Sequence, residues 1–373
     1  MKTKSIPIGM ILSGLALASH ASPEAKSSLF VPWNECLRQE AEWYQSQEAS
    51  RIADQVLLFQ LDTGGWPKNI DMAAPLSEKE RKNLLEKKQR QQDSTIDNGA
   101  TYTQMTYLAR VYRGTRLERY KEAFLKGLDF LLNIQYENGG WPQSPYLQGY
   151  PLHITFNDNA MTGVLRLLRD IARNPSDYVF VNEIRRAKAD AAVRKGIECV
   201  LQCQVIVEGR PTVWCAQHDE KTLRPAPARA YEKISLSGSE SADVVRFLME
   251  IDNPPPRIVH AVQSAVAWFE QVKITGLRQI TEKNPALPRG YDKVIIADPG
   301  APPLWARFYE IGTNRPIFCG RDGIIKYSLA EIDPERRTGY SWYTESPASL
   351  LAQDYPRWSA RWIPKADAPN PSR

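Results

Sequence analysis

The stretch 57-LLFQLDTGGWPKNI-70 returns, with the same turn at its centre, as 131-LLNIQYENGGWPQSP-145. Each copy places an apolar run of helical spacing ahead of Gly-Gly-Trp-Pro, and proline behind glycine stops a helix. A degenerate third copy is 199-CVLQCQVIVEGRPTVWCAQHD-219, around Trp214. Behind each copy come a polar loop and a second helical run: 98-NGATYTQMTYLARVYRGT-115, 159-NAMTGVLRLLRDIAR-173 and 239-SESADVVRFLMEID-252. A unit repeated in this way cannot bury its apolar face alone. The pattern therefore predicts helical hairpins that stack or close into a ring.

Within the first helices Phe124, Leu128, Leu131 and Leu132 share one face. In the second set Asp97, Asp158 and Ser239 stand where an N-cap is expected. The turns after the first helices and the starts of the second ones then fall at one end of every hairpin. That end would gather the Trp turns, the pairs Asp97-Asn98 and Asp158-Asn159, and the loop 219-DEKTLRPAPARAYEK-233. From Asn253 the pattern changes. One more helix, in 253-NPPPRIVHAVQSAVAWFEQVKITG-276, precedes turn-rich sequence with short apolar runs: 292-DKVIIADP-299, 304-LWARFYEI-311 and 315-RPIFCGRDGIIKYSL-329. These read as short strands and long loops that cover the active end. The tail 365-KADAPNPSR-373 has the composition of a disordered segment.

Of 373 residues 42% are hydrophobic, enough for a substantial core. The net charge of +5 is mild and lacks the Lys/Arg blocks of a nucleic-acid binder. Lys2 and Lys4 ahead of 6-IPIGMILSGLALA-18 and the small residues of 19-SHAS-22 read as a secretory signal, cut after Ala21 or Ala18. Residues 22–373 are then expected to form a single exported domain, since no composition shift marks a linker. Five cysteines are an odd count for a disulfide framework and are expected as buried thiols. The histidines have no zinc-ligand spacing.

The two Asp-Asn pairs offer hard oxygen ligands of the kind calcium takes, or they are helix caps. Matched places in neighbouring hairpins favour a shared cation. Trp66 and Trp141 are either plugs between hairpins or sugar-stacking platforms, and Tyr340 and Trp342 carry the same two readings. Arg224 and Arg229 lie on a proline-stiffened stretch, and Arg307 and Arg321 lie in turns rich in aromatics, settings suited to capturing carboxylates. Arg246, among apolar neighbours, either snorkels outward or enters a cavity.

The motifs 64-GGWPKNIDM-72, 95-TIDNGATYTQMTYLARVY-112, 138-NGGWPQ-143, 155-TFNDNAMTGVLRLL-168, 227-PARAYEKISLSGSES-241 and 303-PLWARFYEIGTNRPIFCGRDG-323 together resemble a family 10 polysaccharide lyase, a calcium-dependent pectate lyase. The resemblance implies a mainly α fold, an α/α toroid of about three helical hairpins. It implies β-elimination of polygalacturonate, the homogalacturonan of plant cell walls, by a monomeric exported enzyme that binds neither nucleic acid nor membrane. Carried over by motif, Asp158 would be a principal Ca²⁺ ligand, with Asp97 and Asn98 beside it. Arg229 would match the proposed catalytic base, and Asp97 would stand near the cleaved bond. Arg307, Arg321 and Arg246 would contact the substrate, with Arg224 and Asn98 as further contacts. The rival reading is a glycoside hydrolase that uses Asp97 and Asp158 as its carboxylate pair. A second rival is a non-catalytic binder of oligogalacturonate.

Overall fold

The structure is a computed structural model and describes residues 31–173 and 176–363. The expected signal peptide and the expected disordered tail lie outside the described residues. Seven helices build the body: α1 (Gln47–Phe59), α2 (Tyr102–Thr115), α3 (Glu118–Asn133), α4 (Ala160–Arg173), α5 (Glu183–Cys203), α6 (Glu240–Met249) and α7 (Pro256–Gln271). Helices α2, α4 and α6 pack in sequence as an inner row, and α1, α3, α5 and α7 pack outside them, so that two concentric layers form the mainly α toroid. No helix among the described residues is long and apolar enough to cross a membrane.

Each outer helix buries one stripe. On α1 it is Ala49, Ile52, Ala53, Val56 and Phe59, and on α3 it includes Phe124, Leu128 and Leu131. Ser46 caps α1 by accepting from the Ala49 amide, and Asn182 caps α5 by accepting from the Arg185 amide. Such caps satisfy amides that a helix start leaves without partners.

The Trp turns are plugs. Trp66, Trp141 and Trp214 are fully buried, and each indole N–H donates to a last-turn carbonyl of the helix before it: Val56, Leu131 and Val200, at 2.8, 2.8 and 2.7 Å. Trp305 repeats the device on Phe269 of α7 at 2.8 Å. It marks a fourth, truncated unit, hidden in the sequence by the excursion of residues 272–304. The hairpins are also tied to one another. The side-chain amides of Gln60, Gln135 and Gln204 each donate to a carbonyl of their own turn and to one on the next outer helix, those of Ala123, Ala192 and Ala261. Gly139, at φ +91°, leaves no room for a Cβ against the Lys195 carbonyl of α5, which explains the first glycine of the motif.

The expected N-caps are not found. None of Asp97, Asp158 and Ser239 accepts a hydrogen bond as a helix cap. Short 3₁₀ turns, Asp97–Gly99 and Asn157–Asn159, precede α2 and α4 instead and release these side chains for other work. The C-terminal part forms two-residue strand pairs and one longer hairpin, Leu277–Lys283 with Tyr291–Ala297. It carries a small second core around Phe308, Phe318 and Trp342. All five cysteines are buried free thiols.

Candidate active site

The loop that follows each Trp turn pairs back onto it. The amides of Thr95, Thr155 and Ser237 donate to the carbonyls of Trp66, Trp141 and Trp214. Counting from these bonds, Asp97 corresponds to Asn157 and Ser239, while Asn98 corresponds to Asp158 and Glu240. The Asp-Asn pairs are therefore displaced by one residue from the match expected by sequence. Asn98 and Asp158 share a left-handed conformation, φ 50° in both, which Asn and Asp tolerate better than other side chains. This kink aims Asp158 outward, with 40% of its side chain exposed, whereas Asp97 points inward and is buried.

The three units still bring their acids within electrostatic reach of one another: Glu240, buried at the start of α6, and the buried Asp97 both act on Asp158. Burial pushes the Asp158 carboxyl above its ordinary value, and the charges of Glu240 and Asp97 add to this against the pull of Arg307. The Asp97 Oδ2 atom accepts from Gln143 at 2.6 Å and pairs with Lys68, while its Oδ1 atom is buried with no hydrogen-bond partner. A buried carboxylate oxygen without a partner is donor chemistry that a hard cation takes, so Asp97 and Asp158, with Asn98 beside them, are the residues that could hold calcium.

Arg307 stands over this acid cluster. Its Nη2 atom donates to Asn157 Oδ1 at 2.9 Å and to Glu240, lies 3.7 Å from Asp158 Oδ1, and its guanidinium stacks 4.6 Å from the Tyr340 ring. Burial alone would lower its pKa, but the Glu240 and Asp158 charges hold it above the ordinary arginine value. Tyr340 leads on to Arg229, whose guanidinium lies 5.7 Å from the same ring and 4.9 Å from Tyr231. Glu232 grips Arg229 through Nε at 2.8 Å and Nη2 at 2.5 Å, and this bond raises the pKa of Arg229. A carboxylate thus faces Arg229 in the structure, and it favours the charged form.

A cleft of about 430 Å³ is lined by Asp158, Asn159, Glu240, Asp243, Arg246 and Arg307, and also by Ser341 and Tyr343. Arg246 reaches the cleft, but its guanidinium is held by Asp354 and by Ser346 and Ser349, so it neither snorkels nor hangs in a void. Arg321 is exposed and pairs with Glu335, and Arg224 is exposed on the bend that begins at Asp219. Trp342 is buried in the second core, while Tyr340 serves as the plate between two arginines.

Glu240, Asn157, Lys68, Gln143 and Glu232 were not expected. The backbone pairing of Ser237 onto Trp214 identifies Glu240 only once the fold is known, and nothing in the sequence alone marks the other four. Among the described residues one group of three, His153, Asp219 and Glu220, brings ligand atoms within 4.8 Å of one another, and the acids around Asp158 stand farther apart than that. The register Ile154 opposite His218 creates it. Its members satisfy one another and their neighbours: His153 bonds Glu220 at 3.0 Å, and Asp219 accepts from the Lys221 and Thr222 amides.

Comparison with known proteins agrees with this architecture. The pectic acid lyase family model matches residues 60–351. The family 10 polysaccharide lyase from Cellvibrio cellulosa is 35% identical, at a TM-score of 0.72, over 87% of this chain and 94% of that one. A mutant of that lyase in complex with trigalacturonic acid is 34% identical, also at a TM-score of 0.72, over 89% of this chain and 96% of that one. A comparison with curated protein sequences finds no match. On the family match and on these identities, the chain belongs to the pectic acid lyases of polysaccharide lyase family 10.

Proposed function

We propose that the protein cleaves polygalacturonate by calcium-assisted anti β-elimination and releases 4,5-unsaturated oligogalacturonates. One juxtaposition supports this most: Asp158 and Glu240 line one cleft with Arg307, which shares the Tyr340 ring with Arg229, and the charge of Asp97, whose Oδ1 atom has no partner, acts on Asp158. A polyanionic sugar chain has to be neutralised by cations before it can react, and this corner of the molecule supplies guanidinium groups and a fitting place for a divalent ion. The relative that binds trigalacturonic acid is in keeping with such a substrate.

The C6 carboxyl of a galacturonate makes its C5 proton acidic. Elimination removes that proton, forms the C4–C5 double bond and breaks the C4–O4 bond. The electron pair leaves with O4, which then takes a proton from solvent. No water adds across the bond, so no water-activating carboxylate is required. Calcium held by Asp158, with Asp97 and Asn98 beside it, would supply Lewis-acid neutralisation of the uronate carboxylate. Arg307, immobilised by Asn157 and Glu240, donates hydrogen bonds to the same carboxylate as charge builds up on the ring. Arg321, Arg246 and Arg224 grip carboxylates of neighbouring residues along the chain. Asp97, fixed by Lys68 and Gln143, keeps the cation end rigid near the cleaved bond.

Arg229 takes the C5 proton in its neutral form. Because an ordinary guanidinium deprotonates only at strongly alkaline pH, the neutral form is scarce near neutral pH and the rate climbs toward alkaline pH. Export to the periplasm or medium and a monomeric state belong to the same proposal.

The test is absorbance on polygalacturonate. Near-ultraviolet absorbance should rise, stop on chelation and return with added calcium, and Arg229→Ala should nearly abolish it while leaving the circular dichroism unchanged. Reducing ends formed without new absorbance would make the protein a hydrolase. Full activity after chelation would remove calcium from the account.

A further inference from the structure

The Glu232 carboxylate is the most completely engaged side chain around Arg229. It is 3% exposed, accepts from Arg229 at Nε (2.8 Å), Nη2 (2.5 Å) and the backbone amide (3.1 Å), and also accepts the Tyr340 hydroxyl at 2.7 Å. A bidentate carboxylate fixes the plane of a guanidinium as well as its charge. The groups that face Arg229 are Glu232 and Tyr231 from its own loop and Tyr340 from the segment opposite. Arg307 lies over the Tyr340 ring, and Arg336 lies over both Tyr231 and Tyr340. Among these, only Glu232 brings a negative charge.

Resting on the lyase reading, we infer that Glu232 and Tyr340 form a positioning pair for Arg229. Glu232 orients the guanidinium and sets how readily it gives up its proton, and the Tyr340 hydroxyl moderates that grip. The two act in opposite directions. The carboxylate favours the charged guanidinium, so removing it makes the neutral base available at lower pH. The hydroxyl withdraws part of the carboxylate's hydrogen-bonding capacity from Arg229, so removing it tightens the pair.

Two variants test this. Glu232→Gln should move the alkaline limb of the kcat profile on polygalacturonate to lower pH by roughly 1–3 units, the usual effect of a close opposite charge. It should also raise KM, because the guanidinium plane is freed. Tyr340→Phe keeps the ring beneath both arginines and should move the limb the other way, by less. A residue with a merely structural role would lower melting temperature and rate together and leave the limb in place. A second readout needs no turnover. In ¹H–¹⁵N spectra of arginine Nε–H groups, the signal absent from Arg229→Ala should be slow to exchange in the parent and fast in Glu232→Gln. If limb and exchange are both unmoved in both variants, the pairing has no such role. If the parent forms no unsaturated product, the lyase reading fails, while the exchange measurement still decides whether Glu232 holds Arg229.

Discussion

The residue that most repays attention is Glu240, because it occupies the third-unit counterpart of Asn98 and Asp158 and holds the buried end of Arg307. Glu240 is 4% exposed and Arg307 8% exposed. Removing one member of such a pair leaves a charge stranded out of water, which typically costs roughly 3–5 kcal/mol. Glu240→Gln should therefore lower the denaturant midpoint by an amount equivalent to roughly 3 kcal/mol and loosen Arg307 over the cleft. A shift below roughly 1 kcal/mol would show that Asn157 and Tyr340 suffice to hold the guanidinium. Its position also explains what sequence could and could not convey. Asp97 and Asp158 stand out because an acid beside an asparagine ahead of a helix is a recognisable pattern. Glu240 sits in a copy that has lost the Gly-Gly-Trp-Pro letters, and Glu232 is one acid among many until folding lays Arg229 across it.

At the level of the elements, the Trp turn was readable because its chemistry is local: glycines for the sharp bend, proline for the stop, an apolar run for the helix. The partners of the turn were not readable, since they lie on other helices. Gln135 shows the difference. It looks like an ordinary polar residue, yet its amide bonds Gly139 at 3.0 Å and Ala192 of α5 at 2.9 Å. Gln135→Leu keeps the size of the side chain but removes both hydrogen bonds. At about 1 kcal/mol for each lost bond, it should cost about 2 kcal/mol in urea unfolding. A neutral result would mean that water replaces the amide at both carbonyls. The one-residue displacement of the Asp-Asn pairs has a similar origin. Backbone pairing to the Trp carbonyl sets the register, and side-chain letters alone do not reveal it.

Taken as a whole, the molecule carries a buried sensor of acid conditions in His218. Its Nδ1 lies 2.8 Å from the Leu223 carbonyl and its Nε2 accepts the Cys215 amide, so a neutral ring satisfies both partners. Burial lowers its pKa to about 4 from 6.5. Between these values the unfolded chain binds the proton and the folded chain does not, so stability is intact above pH 6.5 and drains away as pH falls toward 4. The loss should approach ~3 kcal/mol at the acid end. Melting temperatures measured across this range should fall with pH in the parent. They should fall less in His218→Gln, whose amide also offers a donor and an acceptor without titrating. Equal slopes would assign the acid sensitivity to the carboxylates instead. No pattern in the chain announced this role, since a lone histidine in a polar loop reads as exposed until the strand pairing with Ile154 draws it inward.

The Gln60, Gln135 and Gln204 bonds across the outer row carry one more implication. Because each hairpin borrows a donor from its predecessor, no hairpin can melt away and leave its neighbours whole, unlike the modules of an open solenoid. Digestion by a protease under mild denaturation should then yield either intact chain or small peptides, with no long-lived fragment that ends at a hairpin boundary.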